Sequence, residues 1–193
     1  MEFQELSMKG LMLLTPQVFE DERGFFLERF SKRLFEANGI CTESVQDGHS
    51  YSICPEFVQD SHSYSVRNVL RGLHFQRPPF AQDKLVWVTR GEVFDVAVDL
   101  RKDSPSFGKW EAVILSETNK RTFWIPKGFA HGFVTLSDEA DLFYKMSAYY
   151  SKEHEAGVIW NDPDLDIEWP IYHPILSSKD KQLVGLRGLG QIF

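Results

Sequence analysis

Short runs of hydrophobic residues, separated by turn residues, occupy most of the second half of the chain. Turn signals such as Arg90-Gly91-Glu92 and Pro126-Lys127-Gly128 lie between these runs. Strands of this kind at nearly regular intervals are typical of a β-sandwich or a barrel. The predicted strands cover residues 85–89, 93–100, 110–115, 121–125, 130–136 and 142–150.

The N-terminal part predicts a strand, a turn, a second strand and a helix. The turn is Asp21-Glu22-Arg23-Gly24, and the strand after it is predicted over residues 25–30. Ser31 can cap a short helix that ends at Asn38-Gly39. These elements flank the strand-rich region and add little helix to it.

The tail that begins at Asn161 is proline-rich and irregular, with one short helix predicted after Ser177. The most economical fold is therefore all-β: a cupin-type jelly roll with short flanking helices and an irregular or helical C-terminal tail. A chain of 193 residues is long enough to bury one such core without disulfide or metal cross-links. We expect a single domain over residues 1–193.

An octapeptide occurs twice in the chain. VQDGHSYS at residues 45–52 returns as VQDSHSYS at residues 58–65, and only the fourth position differs. Two copies are too few for a solenoid, so the repeat indicates a local duplication. The second copy alternates as a strand with one polar face does, and we expect it in the fold. Residues 41–56 are then an inserted duplicate segment.

Charge and cysteine content narrow the function classes. With 28 acidic and 21 basic residues the net charge is −7, which argues against a nucleic-acid-binding surface. Cys41 and Cys54 cannot form a disulfide framework. No signal peptide and no apolar run of about 20 residues is present, so we expect a soluble, cytoplasmic protein that does not bind membranes.

Several residues could carry chemistry. Arg71 and His74 lie in one strand-like stretch, followed by Lys84, and His131 stands between glycine and phenylalanine residues. Each histidine is either a satisfied core residue or a ligand contact. Tyr144 and Tyr150 share strand parity and could face one cavity, whereas Tyr149 would face away from it. Asp95 and Asp99 share one strand face as network residues or ion pairs.

A metal site is not predicted. Cupin metal sites usually combine two histidines one residue apart with a carboxylate and a later histidine. The six histidines of this chain, His49 and His62 of the repeat among them, are scattered without that spacing. We expect neither a metal nor another cofactor.

In order along the chain, nine segments resemble the dTDP-4-dehydrorhamnose 3,5-epimerase family. No single segment is specific to this family, but the nine segments in this order are. They are DERGFF at residues 21–26, FVQDSHS at 57–63, VLRGLHFQ at 69–76, GEVFDVAVD at 91–99, WIP at 124–126, GFAHGF at 128–133, YK at 144–145, WNDP at 160–163 and LSSKD at 176–180.

The resemblance implies a metal-independent epimerase that forms a homodimer and acts on a dTDP-4-keto sugar. His74 resembles the general base and Asp180 its partner, while Tyr144 resembles the general acid and Lys84 the group that steadies the enolate. The remaining implied substrate contacts are Arg23, Phe26, Glu28, Gln59, Arg71, His131 and Tyr150. Ser61 stands where the family usually has asparagine.

Three alternatives remain open from the sequence. A related enzyme could epimerise C3 or C5 only, because pocket shape decides between these outcomes. A metal-dependent cupin oxygenase would contain bound metal. A nucleotide-sugar-binding module would bind the sugar without exchanging its protons.

Overall fold

A computed structural model describes residues 1–40, 42–46, 49–53, 56–190 and 192–193. Cys41, Cys54 and the middle of the first repeat copy lie outside the described residues. The strands are β1 (Glu2–Glu5), β2 (Met12–Thr15), β3 (Val18–Asp21), β4 (Gly24–Leu27), β5 (Thr42–Gln46), β6 (His49–Ile53), β7 (Gln59–Val66), β8 (Leu70–Gln76), β9 (Lys84–Arg90), β10 (Glu92–Asp99), β11 (Trp110–Ser116), β12 (Thr122–Ile125), β13 (Phe129–Thr135), β14 (Glu139–Met146) and β15 (Glu155–Gly157).

Two open antiparallel sheets form the framework. One has six strands in the order β1-β2-β12-β9-β14-β7, and the other has five in the order β11-β10-β13-β8-β15. Buried side chains from both sheets meet in one cluster, with Val86 and Phe123 from the first sheet and Val93 and Phe133 from the second. The all-β jelly-roll prediction is confirmed, because the core lies between two sheets whose strands alternate inward and outward residues.

A short helix, α1 (Lys32–Ala37), covers the six-stranded sheet beside this core. Ser31 stands at its N-cap in extended conformation, and Asn38 is its C-cap. Gly39 follows with a φ of +71°, a conformation that glycine adopts without steric cost. Phe35 points inward and contacts Trp124 edge to face at 6.0 Å. The tail adds two short 3-10 helices, Asp180–Gln182 and Leu186–Gly188.

Two predicted strands are shorter than the sequence suggests. β4 ends at Leu27 because its partner strand β3 begins at Val18, which is the register partner of Leu27. β14 ends at Met146, which pairs with the first residue of β9. Tyr149 and Tyr150 therefore lie beyond the strand, and the prediction that strand parity orients them is wrong.

The two repeat copies occupy different places. The second copy supplies β7, which pairs with β14 at the edge of the six-stranded sheet. Its residues alternate between exposed and partly or fully buried, as the sequence predicts. The first copy spans parts of β5 and β6, which pair with each other in a two-stranded sheet.

No helix among the described residues is long and apolar enough to cross a membrane.

Candidate active site

A bulge in β8 brings Arg71 and His74 to the same cavity. His74 pairs with His131, and Arg71 pairs with Phe133, so two residues of β8 stand opposite the single residue Gly132. Without this bulge, strand alternation would send the two side chains to opposite faces. Backbone contact is close here: a Cβ added at Gly132 would lie 2.7 Å from the Arg71 carbonyl oxygen.

His74 is joined to Asp180, which comes from the C-terminal tail. The distance between His74 Nε2 and Asp180 Oδ1 is 2.6 Å. The other carboxylate oxygen of Asp180 accepts a hydrogen bond of 2.8 Å from the Ser177 hydroxyl. Burial alone would raise the pKa of Asp180, but the hydrogen bonds from His74 and Ser177 outweigh it and lower that pKa. The imidazole thus faces an ionised carboxylate.

Lys84, the first residue of β9, extends its ammonium group towards the same strand. Its Nζ donates to the His74 carbonyl oxygen at 3.4 Å. Burial lowers the pKa of Lys84 to about 8, although the charges of Asp95 and Glu155 act in the opposite direction. The site therefore holds a cation with little solvation, which is suited to stabilising negative charge that develops nearby.

Tyr144 lies on β14, between its neighbours β7 and β9. Its side chain is half-buried and packs against the main core. Burial raises the pKa of Tyr144, and the positive charge of Arg71 only partly opposes this. The phenol therefore keeps its proton at neutral pH and can act as a donor.

A second His–Asp pair lies in the wall of the cavity. His131 Nε2 is 2.9 Å and 3.0 Å from the two carboxylate oxygens of Asp95, and both residues are buried. Burial raises the pKa of Asp95, against the opposing charges of His131 and Lys84. Asp99 lies four residues further along β10. Its carboxylate accepts hydrogen bonds from Arg101, Ser104 and Ser106, outside the cavity.

These groups share one cavity of about 390 Å³. Of the residues predicted for the site, the structure brings eight to its walls: Gln59, Arg71, His74, Lys84, His131, Tyr144, Tyr150 and Asp180. At the mouth, the Tyr150 hydroxyl donates to Glu155 at 2.9 Å. Lys179 forms an ion pair with the same carboxylate. The cavity is therefore polar and carries both signs of charge.

Three predicted residues lie elsewhere. Arg23 and Phe26 belong to the exposed β3–β4 hairpin, and Glu28 follows it, also exposed. The Arg23 side chain is 85% exposed and pairs with Asp21. Phe26 is 69% exposed, and its ring lies 6.5 Å from that of Phe19 on the paired strand.

The sequence reading missed Glu155 and Lys179, which line the cavity. Glu155 sits in a charged stretch that carries no strand pattern, so nothing in the sequence distinguishes it from a solvated residue. Lys179 directly precedes Asp180, and that adjacency is the one signal that could have found it.

Histidine, cysteine, aspartate and glutamate side chains do not gather in threes at metal-binding distance anywhere in the described part of the chain. The two His–Asp pairs each engage Nε2 of the imidazole with a carboxylate. The arrangement suits proton transfer: a histidine with a carboxylate behind it, a protonated phenol and a cation around one cavity.

Comparisons with known proteins show what this chain is similar to. The sequence model of the dTDP-4-dehydrorhamnose 3,5-epimerase family matches residues 5–55 and 52–188. The epimerase of that name from Shigella flexneri is 54% identical over 171 residues, 88% of this chain and 87% of its own length. The one from Methanothermobacter thermautotrophicus is 47% identical over 188 residues, 96% of this chain and 94% of its own.

The fold is also similar to solved structures. A crystal structure of dTDP-6-deoxy-D-glucose-3,5-epimerase from Legionella pneumophila in complex with dTDP-4-keto-L-rhamnose superposes with a TM-score of 0.87. The two sequences are 44% identical, and the match covers 97% of this chain and 94% of the other.

Proposed function

The chain belongs to the dTDP-4-dehydrorhamnose 3,5-epimerase family and is an isomerase, and we propose that its cavity inverts C3 and C5 of dTDP-4-dehydro-6-deoxy-D-glucose on the route to dTDP-L-rhamnose. The observation that carries this proposal is the hydrogen bond between His74 and Asp180, with Tyr144 and Lys84 around the same cavity. The proposed reaction needs no metal or cofactor.

The substrate chemistry explains why these groups are needed. The ketone at C4 acidifies the protons on C3 and on C5, because loss of either leaves an enolate. A base must remove the proton from one face of the ring, and an acid must return a proton to the other face. The enolate oxygen in between requires a nearby positive charge or hydrogen-bond donor.

His74 is the proposed base. If its Nε2–H donates to Asp180, the second ring nitrogen keeps its lone pair and can accept the proton from carbon. Asp180 then fixes this tautomer and stabilises the imidazolium that forms. The lowered pKa of Asp180 supports this role, because the carboxylate stays ionised throughout.

Tyr144 is the proposed acid and Lys84 the proposed enolate stabiliser. Tyr144 comes from the six-stranded sheet and His74 from the five-stranded sheet, so the two groups approach the cavity from opposite layers. That separation supports delivery of a proton to the face opposite the base. Lys84 is an ammonium ion at neutral pH, since its pKa is about 8.

The substrate-binding residues follow from the same cavity. Arg71 can bind the diphosphate, because a guanidinium group makes bidentate hydrogen bonds to phosphate oxygens. Gln59 and Tyr150 line the mouth, and His131 lines the inner wall. A net charge of −7 is compatible with an anionic substrate only if such cations converge locally.

We further propose a homodimer. Arg23, Phe26 and Glu28 do not line the cavity of their own chain, yet the resemblance implies that they contact the substrate. A second copy would resolve this by receiving the exposed β3–β4 hairpin, and the ring of Phe26 would be covered.

Sedimentation equilibrium should give twice the mass of 22.4 kDa. Phe26→Ser should weaken both the dimer and dTDP binding, whereas a monomeric wild type would contradict the proposal.

The deciding experiment is solvent exchange. The keto sugar dTDP-4-dehydro-6-deoxy-D-glucose is incubated with the enzyme in D₂O and followed by NMR. Deuterium at both C3 and C5 is expected, whereas deuterium at one carbon would mean a single-carbon epimerase. Binding without exchange would mean a binding module, and loss of exchange on chelation would mean a metal enzyme.

Tyr144→Phe should reduce epimerisation more than exchange, because the original face can still be reprotonated.

We propose that the inserted segment takes no part in catalysis and that one domain spans residues 1–193. Each of the two segments matched by the family model contains one repeat copy. Deleting residues 44–56 removes one repeat period but keeps Phe57, whose ring contacts Trp124 at 6.3 Å. We expect kcat/KM within about twofold of wild type, as for a tolerated surface insertion. A loss of exchange would give the β5–β6 hairpin a functional role.

The two cysteines in 193 residues provide no disulfide framework, which supports the expected cytoplasmic location.

A further inference from the structure

The segment of residues 148–151 leaves the sheet and carries Tyr150 to the mouth of the cavity. β14 ends just before it, and Ser147 is already held by Asp83, whose backbone carbonyl accepts its N–H at 3.1 Å. Among the described residues, none offers a backbone–backbone hydrogen bond to Ala148, Tyr149 or Tyr150. Something other than strand pairing must therefore hold the ring of Tyr150 in place.

Three glutamine side chains bind the backbone of this segment. Gln82 Nε2 donates to the Ala148 carbonyl at 2.7 Å. Gln76 Nε2 donates to the Tyr149 carbonyl at 3.1 Å, and its Oε1 accepts the Ser151 N–H at 2.6 Å. Gln59 Oε1 accepts the Tyr150 N–H at 3.0 Å. Each of four consecutive residues is thus held by a side-chain amide.

Gln76 and Gln82 lie in or next to the strands that carry His74 and Lys84. Gln76 ends β8, two residues after His74, and is only 4% exposed. Gln82 stands two residues before Lys84, the start of β9. A buried amide is costly unless its donors and acceptors are satisfied, so Gln76 favours one position of the segment over others. The hydroxyl of Tyr150 is fixed separately, by Glu155.

We propose that Gln76 and Gln82 are positioning residues that orient Tyr150 for binding the nucleotide sugar. The inference rests on the proposed function, since it assigns the ring a place against the part of the substrate that extends out of the cavity. Truncating either amide releases a carbonyl of the segment and lets the ring move. Affinity for the nucleotide then falls, while proton transfer at His74 is largely retained.

The test is a double-mutant cycle with dTDP as the probe. Gln82→Met keeps the length of the side chain but removes both hydrogen-bonding groups. Loss of one such hydrogen bond should raise the Kd for dTDP, measured by titration calorimetry, and the KM for the keto sugar by about 2- to 10-fold. We expect kcat to change by less than about twofold. In a Tyr150→Ala background the same change should have no further effect.

Gln4→Met, on the exposed outer strand β1, is the matched control and should leave both constants unchanged. Equal loss of affinity with and without Tyr150 would overturn the proposal, because Gln82 would then contact the ligand itself. Unchanged dTDP affinity in Gln82→Met would also overturn it. Gln76→Met repeats the cycle at the buried position, and Gln82→Asn, too short to reach Ala148, replaces Gln82→Met should the latter not fold. A wild type that neither binds dTDP nor exchanges deuterium would instead refute the proposed function.

Discussion

Two His–Asp pairs lie side by side on adjacent strands of one sheet, and they differ in what surrounds them. His74 and His131 are register partners on β8 and β13, and each meets a carboxylate through Nε2. The side chain of His74 is 29% exposed and that of His131 only 8%. Asp180 is supplied by the tail, whereas Asp95 comes from β10 within the sheet.

The electrostatic consequence is opposite for the two carboxylates. Hydrogen bonds to Asp180 outweigh its burial and lower its pKa, whereas burial dominates at Asp95 and raises its pKa. His74, the more accessible imidazole, can therefore accept and release protons beside a carboxylate whose lowered pKa favours the ionised form. The buried pair is better suited to holding the wall of the cavity and setting the charge around Lys84. One residue pairing thus serves two purposes according to its environment.

The largest contrast is expected when each histidine is removed. His74→Ala should lower kcat by about 10³- to 10⁴-fold and abolish deuterium exchange at both carbons, because the base is gone. Its thermal stability should change little, since Asp180 keeps Ser177 as a partner. NMR in D₂O and a melting curve measure the two effects.

His131→Ala should reverse this pattern. It leaves the buried Asp95 carboxylate without its imidazole, which costs about 1–3 kcal/mol of stability, while exchange falls less than in His74→Ala. His131→Gln, which can still donate to Asp95, should recover part of the stability. The assignment of the base to position 74 is wrong if His131→Ala suppresses exchange as strongly as His74→Ala.

A smaller contrast is expected at the carboxylates. Asp180→Asn presents an amide donor to His74 Nε2, favours the wrong tautomer and should lower kcat, although by less than His74→Ala because the imidazole itself is kept. Asp95→Asn should lower kcat less, because His131 is not the base. Single-turnover rates with the keto sugar compare the two variants, and comparable losses would show that both pairs take part in the proton transfer.

The two sheets and the location of the buried His131–Asp95 pair could be predicted from the sequence. In β10 and β13 the sequence pattern predicts the strand and which residues share a face, because strand residues point to the two faces in turn, although nearly all residues of both strands are buried. His131 and Asp95 share that alternation, so their position in the wall follows from the pattern. Their pairing does not follow, because register between strands distant in sequence is set by packing.

The location of the His74–Asp180 pair depends on irregular backbone, which the sequence pattern does not predict. Arg71 and His74 face one cavity only because of the bulge at β8, which no alternation announces. Asp180 arrives from a 3-10 helix more than a hundred residues away in sequence, and only the family resemblance paired it with His74. Tyr150 does line the cavity, but not through the strand parity that predicted it, because β14 ends at Met146 and side-chain amides hold the segment that follows.

The smallest expected effect is a shift in the pH dependence of kcat/KM, and it tests whether the buried His131–Asp95 pair acts on Lys84. Deprotonation of Lys84 removes the cation that stabilises the enolate, so kcat/KM should fall tenfold per pH unit above an apparent pKa of about 8. Tyr144 does not account for this limb, because burial places its pKa above the ordinary tyrosine value. Negative charge near an ammonium group raises its pKa, and Asp95 and Glu155 are the carboxylates that act on Lys84 in this way.

Asp95→Asn and Glu155→Gln should therefore each move the alkaline limb to lower pH, by less than about one unit. Asp180→Asn should leave the limb in place, although it lowers the rate at every pH. The pH profile of kcat/KM for the three variants measures these shifts. A limb that stays fixed in Asp95→Asn would mean that the buried carboxylate carries no charge near pH 8, and the His131–Asp95 pair would then be a structural element without electrostatic influence on Lys84.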